Sequence, residues 1–356
     1  MSAFTQIPVT ILTGFLGSGK TTLLRQLLTH GEFAHSAVVI NEIGEVGIDH
    51  HLIREVHDTV TVLPNGCLCC TVQGDLVNVL REWLFGRGRD RIGRFTGVFI
   101  ETTGLADPAP VVRTLMSDPQ VMQHYRLDGI VTVVDAVFGM SQLDAHRESV
   151  KQVAVADRIV MTKCDLAGRE LQHTLTARLQ SINPSAPVVC AEHGAVAAAS
   201  ILDTGFAAVT REPKRVERWL SAHRYRLVTD NETGSMYKSE AAHDELVHSF
   251  VLRFQEPLVS GRVLGALKVM SSLAGERLLR IKGLLNIRGE ALPMVLHAVQ
   301  HVIYPLISLN AWPNEDRHSV LVFIVRDLDP NFVYQMLTGV LGQDLAPVTQ
   351  ESALTS

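Results

Sequence analysis

Residues 14–22 read Gly-Phe-Leu-Gly-Ser-Gly-Lys-Thr-Thr and satisfy the phosphate-binding pattern G-x-x-x-x-G-K-[ST]. The pattern follows a predicted strand at residues 9–12 and opens a predicted leucine-rich helix, which is the context that it requires. Glycines let the backbone fold closely around phosphate oxygens, and the N–H groups at the helix N-terminus stabilise their charge. We predict that Lys20 bridges the β and γ phosphates and that Thr21 binds Mg²⁺. The predicted nucleotide contacts in this loop are Gly14, Gly17, Ser18, Gly19, Lys20, Thr21 and Thr22.

The end of another predicted strand carries a carboxylate, Glu101, in the sequence Glu-Thr-Thr-Gly at residues 101–104. In a P-loop protein such a carboxylate can hold the magnesium shell or orient the attacking water, and Gly104 gives the next segment a mobile N–H near the γ-phosphate. We therefore predict Lys20, Thr21 and Glu101 as the catalytic group, with Thr21 and Glu101 binding Mg²⁺. Gly104 is predicted to contact the nucleotide. The alternative is a solvated glutamate with no role in binding.

The base is predicted from residues 162–165, which read Thr-Lys-Cys-Asp, a variant of the guanine-reading sequence N-K-x-D. Asp165 can accept hydrogen bonds from N1–H and the exocyclic amine of guanine, donors that adenine lacks in this arrangement. The stem of Lys163 can lie along the base plane, and Thr162 stands in place of the usual Asn. We predict that Thr162, Lys163 and Asp165 bind GTP or GDP; the alternative is a lysine and an aspartate that cap a strand-to-helix loop.

Three cysteines, Cys67, Cys69 and Cys70, lie within four residues of one another after a predicted Asn-Gly turn. Soft thiolate donors favour Zn²⁺ or Cu⁺, and three of them leave a tetrahedral ion one ligand short. Glu42 or Glu45 can complete the shell with an exchangeable oxygen, which suits transfer of the ion better than a permanent structural site. We predict a metal site built from these residues; a redox switch and simple packing of the cysteines are the alternatives.

The composition is that of an ordinary globular protein of 356 residues, with 46% hydrophobic residues, 19% charged residues and a net charge of -5. This charge gives no broad basic surface for nucleic acid or anionic lipid, and no apolar run is long enough to span a bilayer. The N-terminus lacks a basic start followed by an apolar core, so no secretory signal is expected. Five cysteines, of which Cys164 and Cys190 stand apart from the cluster, are too few for a disulfide framework and predict a reducing compartment, the cytoplasm.

Short β-branched runs alternate with helical patterns through the first half of the chain, which predicts an α/β fold with a mostly parallel sheet flanked by helices. The remainder predicts a smaller α+β domain that includes a helix at residues 294–303. In that helix His297 and His301 stand one turn apart, but such pairs are more often packing residues, so they are left out of the metal site. The predicted divisions are a P-loop GTPase domain at residues 1–210, a polar linker at 211–245 and the α+β domain at 246–345.

Taken with these motifs, the chain resembles the CobW-like branch of metal-linked P-loop GTPases, in particular its YjiA-type members. The resemblance implies a GTPase whose nucleotide state alters a metal site at the C-x-C-C loop, with a metallochaperone role toward client metalloproteins. It also implies that the segment bearing Glu42 and Glu45 lies near the metal, and that the last domain is the CobW C-terminal type. Many members carry a histidine-rich tract that this chain lacks, which argues against metal storage. The matching stretches span nearly the whole chain and include residues 14–22, 41–47, 65–70, 101–104, 127–136, 162–165, 279–284 and 318–324.

The functional hypothesis is that GTP and Mg²⁺ order residues 42–70 and thereby change their affinity for a metal ion, zinc first and cobalt or nickel next. No arginine finger or water-positioning glutamine is evident, which predicts slow intrinsic turnover of ~10⁻⁴ to 10⁻² s⁻¹. Two rival functions are an ATP-dependent small-molecule kinase and a metal-responsive GTP-binding switch that needs no hydrolysis. The sequence leaves open whether the chain forms a homo-oligomer.

Overall fold

The protein folds as two compact units, the first formed by Met1–Leu179 and Ala186–Ala208 and the second by Gln180–Ser185 and Val209–Ser356. The computed structural model describes residues 6–31, 33, 35–41, 60–63, 71–86, 95–191, 195–197, 200–201, 213–221, 225–230, 234–239 and 247–342.

The first unit contains a seven-stranded sheet in the order β3-β2-β4-β1-β5-β6-β7, and every neighbouring pair is parallel. Its strands are nearly continuous apolar runs because both faces of a parallel sheet are covered. The strands are β1 (Ile7–Thr13), β2 (Ser36–Asn41), β3 (Val60–Leu63), β4 (Gly97–Glu101), β5 (Tyr125–Asp135), β6 (Arg158–Thr162) and β7 (Val188–Cys190).

Helices connect these strands, as the alternating sequence pattern predicts. The first helix buries leucines at i, i+3 and i+4 spacing, Leu23, Leu24, Leu27 and Leu28, in one core with strand residues such as Phe99 and Val133. The helices are α1 (Lys20–Thr29), α2 (Thr71–Gly86), α3 (Ala109–Ser117), α4 (Pro119–His124), α5 (Gly139–Ala145), α6 (Arg147–Ala154) and α7 (Arg169–Ile182).

The register of the parallel strands places the predicted site at one edge of the sheet. Leu12, near the end of β1, pairs with Glu101, the last residue of β4. Asp135, the last residue of β5, pairs with Thr162, the last residue of β6. Loops that leave the carboxyl ends of neighbouring parallel strands meet at the same edge, which is where open α/β sheets bind ligands.

The second unit contains an eight-stranded antiparallel sheet in the order β13-β12-β11-β15-β10-β9-β8, with β14 paired to β12. Two helices pack on each other and share one apolar core with the sheet, to which Phe250, Leu267 and Leu337 contribute. The elements are α8 (Pro213–Leu220), β8 (Tyr225–Asp230), β9 (Gly234–Ser239), β10 (Val247–Phe254), α9 (Ser260–Ala274), β11 (Leu278–Leu285), β12 (Met294–Val299), β13 (Val302–Ile303), β14 (Ile307–Ser308), β15 (Ser319–Arg326) and α10 (Pro330–Leu341).

The predicted helix at residues 294–303 is wrong. The segment forms the hairpin of β12 and β13, in which Val299 pairs with Val302 and Gln300 turns the chain with a φ of 51°. Residues 295–299 are buried on both faces of the sheet, so their apolar pattern has no alternation that would separate a strand from a buried helix. His297 is therefore a fully buried strand residue, and the helical spacing between it and His301 does not exist.

The segment expected to be a linker contains regular structure. Helix α8 lies within it, and β8 and β9 form a hairpin whose second strand pairs with β10 through Phe250 and Lys238. Polar residues on these outer strands hide the alternation by which a strand is recognised in a sequence. The predicted bounds of 1–210, 211–245 and 246–345 stay a prediction.

Within the described ranges, every helix is too short or too polar to cross a lipid bilayer.

Candidate nucleotide-binding site

The loop between β1 and α1 has the backbone that only its glycines permit. Gly14, Gly17 and Gly19 have φ values of 144°, 72° and 89°, which lie in the region that favours glycine. A Cβ atom on Gly14 would stand 2.2 Å from the carbonyl oxygen of Val133, so the loop lies directly on the end of β5. The sequence spacing is thus explained by one close backbone contact and two left-handed turns.

Lys20 begins α1 and turns its ammonium back into this loop. Its Nζ donates to the carbonyl oxygens of Gly14 at 2.9 Å and Phe15 at 3.1 Å, and the residue is only 8% exposed. Burying an ammonium is costly unless it is hydrogen-bonded, so these carbonyls hold the charge in place. The arrangement presents a fixed positive charge at the centre of the loop.

Ser18 supplies a further test of whether the loop fits phosphate. Its Oγ is fully buried and, among the residues that the structure describes, has no hydrogen-bond partner. Buried hydroxyls are almost always hydrogen-bonded, and a phosphate oxygen in the loop would satisfy this one. Thr22 lies on the exposed side of the first turn of α1.

Thr21 and Glu101, the predicted magnesium ligands, lie side by side. The Thr21 hydroxyl donates to Oε1 of Glu101 at 2.7 Å, and Glu101 is only 4% exposed. A hydroxyl and a carboxylate oxygen side by side are ligands that Mg²⁺ prefers. The residues therefore fit the ion, and they do so across eighty positions of sequence.

Gly104 touches the phosphate loop directly. A Cβ atom on Gly104 would lie 2.6 Å from the backbone nitrogen of Leu16. Gln152, on α6, holds this segment by donating to the carbonyl oxygens of Gly104 at 3.1 Å and Ala106 at 3.0 Å. Gln152 was not among the predicted site residues, and its burial in α6 becomes visible only in the structure.

The predicted base-reading loop is built onto the phosphate loop. The Thr162 hydroxyl donates to the carbonyl oxygen of Ser18 at 2.6 Å. Lys163 has a φ of 58°, and its Nζ donates to the carbonyl oxygen of Gly17 at 2.9 Å and to Oδ2 of Asp135 at 2.6 Å. Threonine in place of the usual asparagine thus still joins the two loops.

Asp135 is a second residue that sequence analysis did not select for the site. It is 1% exposed, and its Oδ1 accepts from the backbone N–H groups of Val137 and Phe138 while Oδ2 accepts from Lys163. The signal was present, since an aspartate ends the apolar strand just as Glu101 ends its own. Asp165 follows in the same loop and is exposed.

The predicted transition-metal residues Glu42, Glu45, Cys67, Cys69 and Cys70 lie outside the described residues. Within the part of the chain that the structure describes, no group of three or more His, Cys, Asp or Glu side chains could hold a metal ion.

The glycine loop, the Thr21–Glu101 pair and the lysine-bearing loop at one edge of a parallel sheet define a P-loop nucleotide-binding protein. The model of the CobW/HypB/UreG nucleotide-binding domain matches residues 8–190, and the model of the cobalamin synthesis protein CobW C-terminal domain matches residues 247–341. The chain belongs to the CobW/HypB/UreG family. The predicted family and the predicted fold class are thereby confirmed.

Relatives with curated names cover much of the chain. The zinc chaperone YjiA of Escherichia coli is 34% identical over 319 residues, which are 89% of this chain and 93% of the relative. The zinc-regulated GTPase metalloprotein activator 1 of Schizosaccharomyces pombe is 35% identical over 200 residues, 54% of this chain and 47% of the relative. The crystal structure of Zn(II)-bound YjiA GTPase from E. coli superimposes with a TM-score of 0.68 at 27% identity, covering 94% of this chain and 99% of that one.

Proposed function

We propose that this protein is a GTPase whose nucleotide state controls the binding of zinc and its delivery to a client metalloprotein. The observation that carries the proposal is the double contact of Lys163, which joins Asp135 to the carbonyl of Gly17 and so couples the base-reading loop to the phosphate loop. The names of the relatives, which include zinc chaperones and a zinc-regulated GTPase, support it.

The phosphate end of the site performs the hydrolytic chemistry. Lys20 supplies positive charge to the β and γ phosphates, and the N–H groups of the glycine loop and α1 bind their oxygens. Mg²⁺, when bound, neutralises charge that develops on the transferred phosphoryl group. Thr21 and Glu101 would hold that ion, and the Glu101 carboxylate would orient the attacking water. Gln152 acts indirectly, because it positions the backbone of Gly104 and Ala106 beside the phosphate loop.

Guanine selectivity is assigned to Asp165, with Thr162 and Lys163 supporting the loop. An adenine base in the same place would leave the carboxylate facing groups to which it cannot bond, and an unpaired buried polar group is costly. The left-handed backbone of Lys163 directs its side chain toward Gly17 while the chain continues to Asp165.

Zinc is the proposed cargo, bound by Cys67, Cys69 and Cys70 with Glu42 or Glu45. Two segments carry these residues, one after β2 and one after β3, and both begin at the same sheet edge as the nucleotide site. The chain leaves β2 at Asn41, whose neighbour Ile40 pairs with Glu101, and it leaves β3 at Leu63, which pairs with Asn41. The end of β2 is therefore next to Glu101, and the end of β3 lies one strand further from it. Free thiolates need a reducing compartment, and we assign the activity to the cytoplasm.

The test of this proposal is a zinc titration of the apo protein with GDP and then with a non-hydrolysable GTP analogue, both with Mg²⁺. We expect zinc affinities that differ by at least about tenfold, or about 1.4 kcal/mol of coupling. Cys67→Ser should weaken zinc binding in both states, whereas the matched change Cys190→Ser, at an exposed cysteine outside the cluster, should not. Equal zinc affinity in the two nucleotide states would refute the coupling.

A further inference from the structure

Two thiols that stand apart in the sequence meet on the base side of the nucleotide site. Cys190 is the last residue of β7 and pairs in register with Met161 of β6. Cys164 follows β6 and turns its side chain back, so that its Sγ donates to the carbonyl oxygen of Met161 at 3.2 Å. The two thiols are close enough for Cys190 to raise the pKa of the Cys164 thiol. Both sulfurs therefore lie beside the end of the same strand.

Gln172, on α7, holds both cysteines in this arrangement. Its Nε2 donates to the carbonyl oxygens of Cys164 and Ala167, each at 2.8 Å. Its Oε1 accepts from the Sγ of Cys190 at 3.7 Å. Neither thiol has a part in the hydrolysis or zinc binding proposed above, so the pair is available for another role.

We propose that Cys164 and Cys190 form a reversible disulfide that weakens guanine-nucleotide binding. The proposed effect rests on the guanine recognition assigned to Asp165, because Cys164 stands between Lys163 and Asp165 in the chain. Transient, redox-sensing disulfides are the kind found in reducing compartments.

The two sulfurs differ in a way that sets the order of the reaction. Cys190 is exposed, whereas Cys164 is only 6% exposed. Burial raises the pKa of the Cys164 thiol to about 12, and the neighbouring Cys190 sulfur adds to the shift. Because the thiolate is the nucleophile, Cys190 is the first to react and Cys164 the second.

The oxidant is a low-molecular-weight disulfide. The Cys190 thiolate attacks one of its sulfurs, which forms a mixed disulfide and releases one thiol. The Cys164 sulfur then attacks the sulfur of Cys190, loses its proton to solvent and releases the second thiol. The two protein thiols are oxidised and the external disulfide is reduced to two thiols.

Closing this bond constrains the base-reading loop. An S–S bond of about 2.05 Å fixes the separation of the two sulfurs and so ties Cys164 to the end of β7. Lys163, next to it, already has a φ of 58° and contacts Gly17 and Asp135, which limits its freedom to adjust. The constraint therefore acts on the loop that reads the base and, through the Lys163–Gly17 contact, on the phosphate loop.

The experiment uses the full chain with oxidised glutathione as the probe. Peptide mapping by mass spectrometry should find a peptide that links Cys164 to Cys190, formed faster as the pH rises. The oxidised protein should bind GDP at least about tenfold more weakly than the reduced protein, and dithiothreitol should restore the affinity. Cys190→Ser should bind GDP like the unchanged protein and should lose no GDP affinity on treatment with the probe.

Two controls separate the inference from the proposed function. The reduced protein is first titrated with GDP and ADP, and equal affinities would refute guanine recognition itself. Where guanine is preferred, the inference is overturned by any of three results. They are linkage of Cys190 to Cys67, Cys69 or Cys70, absence of the Cys164–Cys190 peptide, or a linked protein with unchanged GDP affinity.

Discussion

Buried charged groups occupy opposite kinds of place in the two sheets. In the parallel sheet, Glu101 and Asp135 end their strands, where loops and a ligand can reach them. In the antiparallel sheet, Arg280, Lys282 and His297 lie within β11 and β12 and are at most 1% exposed. Charge at strand ends can serve binding, whereas charge inside a sheet has to be satisfied by the protein itself.

The charged side chains inside the second sheet contact one another, a backbone carbonyl oxygen and aromatic rings. Nη2 of Arg280 lies 3.2 Å from Nε2 of His297, and Lys282 donates to the carbonyl oxygen of Trp219 at 3.0 Å while lying 5.0 Å from the centre of its ring. His297 stacks on Tyr304 with ring centres 4.6 Å apart. The comparison therefore predicts that the first set of charges serves the nucleotide site and that the second serves stability.

The largest effect is expected at Lys20. Lys20→Met removes the fixed positive charge from the phosphate loop and should lower GTP turnover about 1000-fold, or about 4 kcal/mol of transition-state stabilisation. Phosphate release under saturating GTP measures it. Lys268→Met, at an exposed lysine on α9, is the matched control and should leave turnover unchanged. Turnover within tenfold of the unchanged protein would remove Lys20 from the mechanism.

The next effect is on the choice of base. Asp165→Asn replaces the double acceptor and should reduce the preference for GTP over ATP about 100-fold, or about 2.7 kcal/mol. Competition of both nucleotides against labelled GDP gives the ratio. Glu82→Gln, at an exposed carboxylate on α2, should keep the original preference. An unaltered preference in the Asp165 variant would contradict the assignment of the base site.

A pair of lysine variants tests the comparison directly. Lys282→Met leaves the carbonyl of Trp219 without this donor and should lower the free energy of unfolding by about 2 kcal/mol without changing turnover. Lys163→Met should weaken nucleotide binding, and it should also lower stability because the buried carboxylate of Asp135 loses its cation. GDP titration therefore separates the two variants, and urea denaturation measures their stability. Weaker GDP binding in the Lys282 variant, with unchanged binding in the Lys163 variant, would reverse our assignment.

The smallest effect is a dependence of stability on pH. Burial, reinforced by Arg280 and Lys282, lowers the pKa of His297 well below 6.5. Below pH 6.5 the unfolded chain therefore binds a proton that the folded chain does not, and stability falls as the pH decreases. We expect a loss of about 1 kcal/mol between pH 7 and pH 5.5 that is absent from His297→Gln.

Asp316 acts outside this pH window. Burial tends to raise the pKa of Asp316, but hydrogen bonds from the backbone and ring of His318 outweigh this effect. The pKa of Asp316 therefore lies below 3.8. Its contribution is present above that value and is lost only at lower pH. Urea denaturation at pH 7 and 5.5 checks the prediction, and equal losses in both proteins would exclude His297 as the cause.

The phosphate loop could be predicted from sequence because its chemistry depends on spacing within nine residues. Strand ends such as Glu101 could also be predicted, since an apolar run stops at a carboxylate. The hairpin of β12 and β13 could not be predicted, because strand residues buried on both sides lack the alternation that identifies a strand. Asp135 ends its apolar strand in the same way as Glu101, so the same local pattern indicates it. The role of Gln152 and the proximity of the two thiols depend on which strands and helices become neighbours, information that no local pattern contains.

The close approach of Gly104 to Leu16 has a mechanical consequence. The backbone and the side chain of Leu16 both lie within 2.7 Å of the place where a Cβ atom on Gly104 would stand, so little space separates the nucleotide loop from the segment that follows Glu101. Because close-packed segments transmit displacement, a shift of the Gly104 segment by a few tenths of an ångström would also move the loop at Leu16. A methyl group added at Gly104 would force the Gly104 segment and the loop at Leu16 apart.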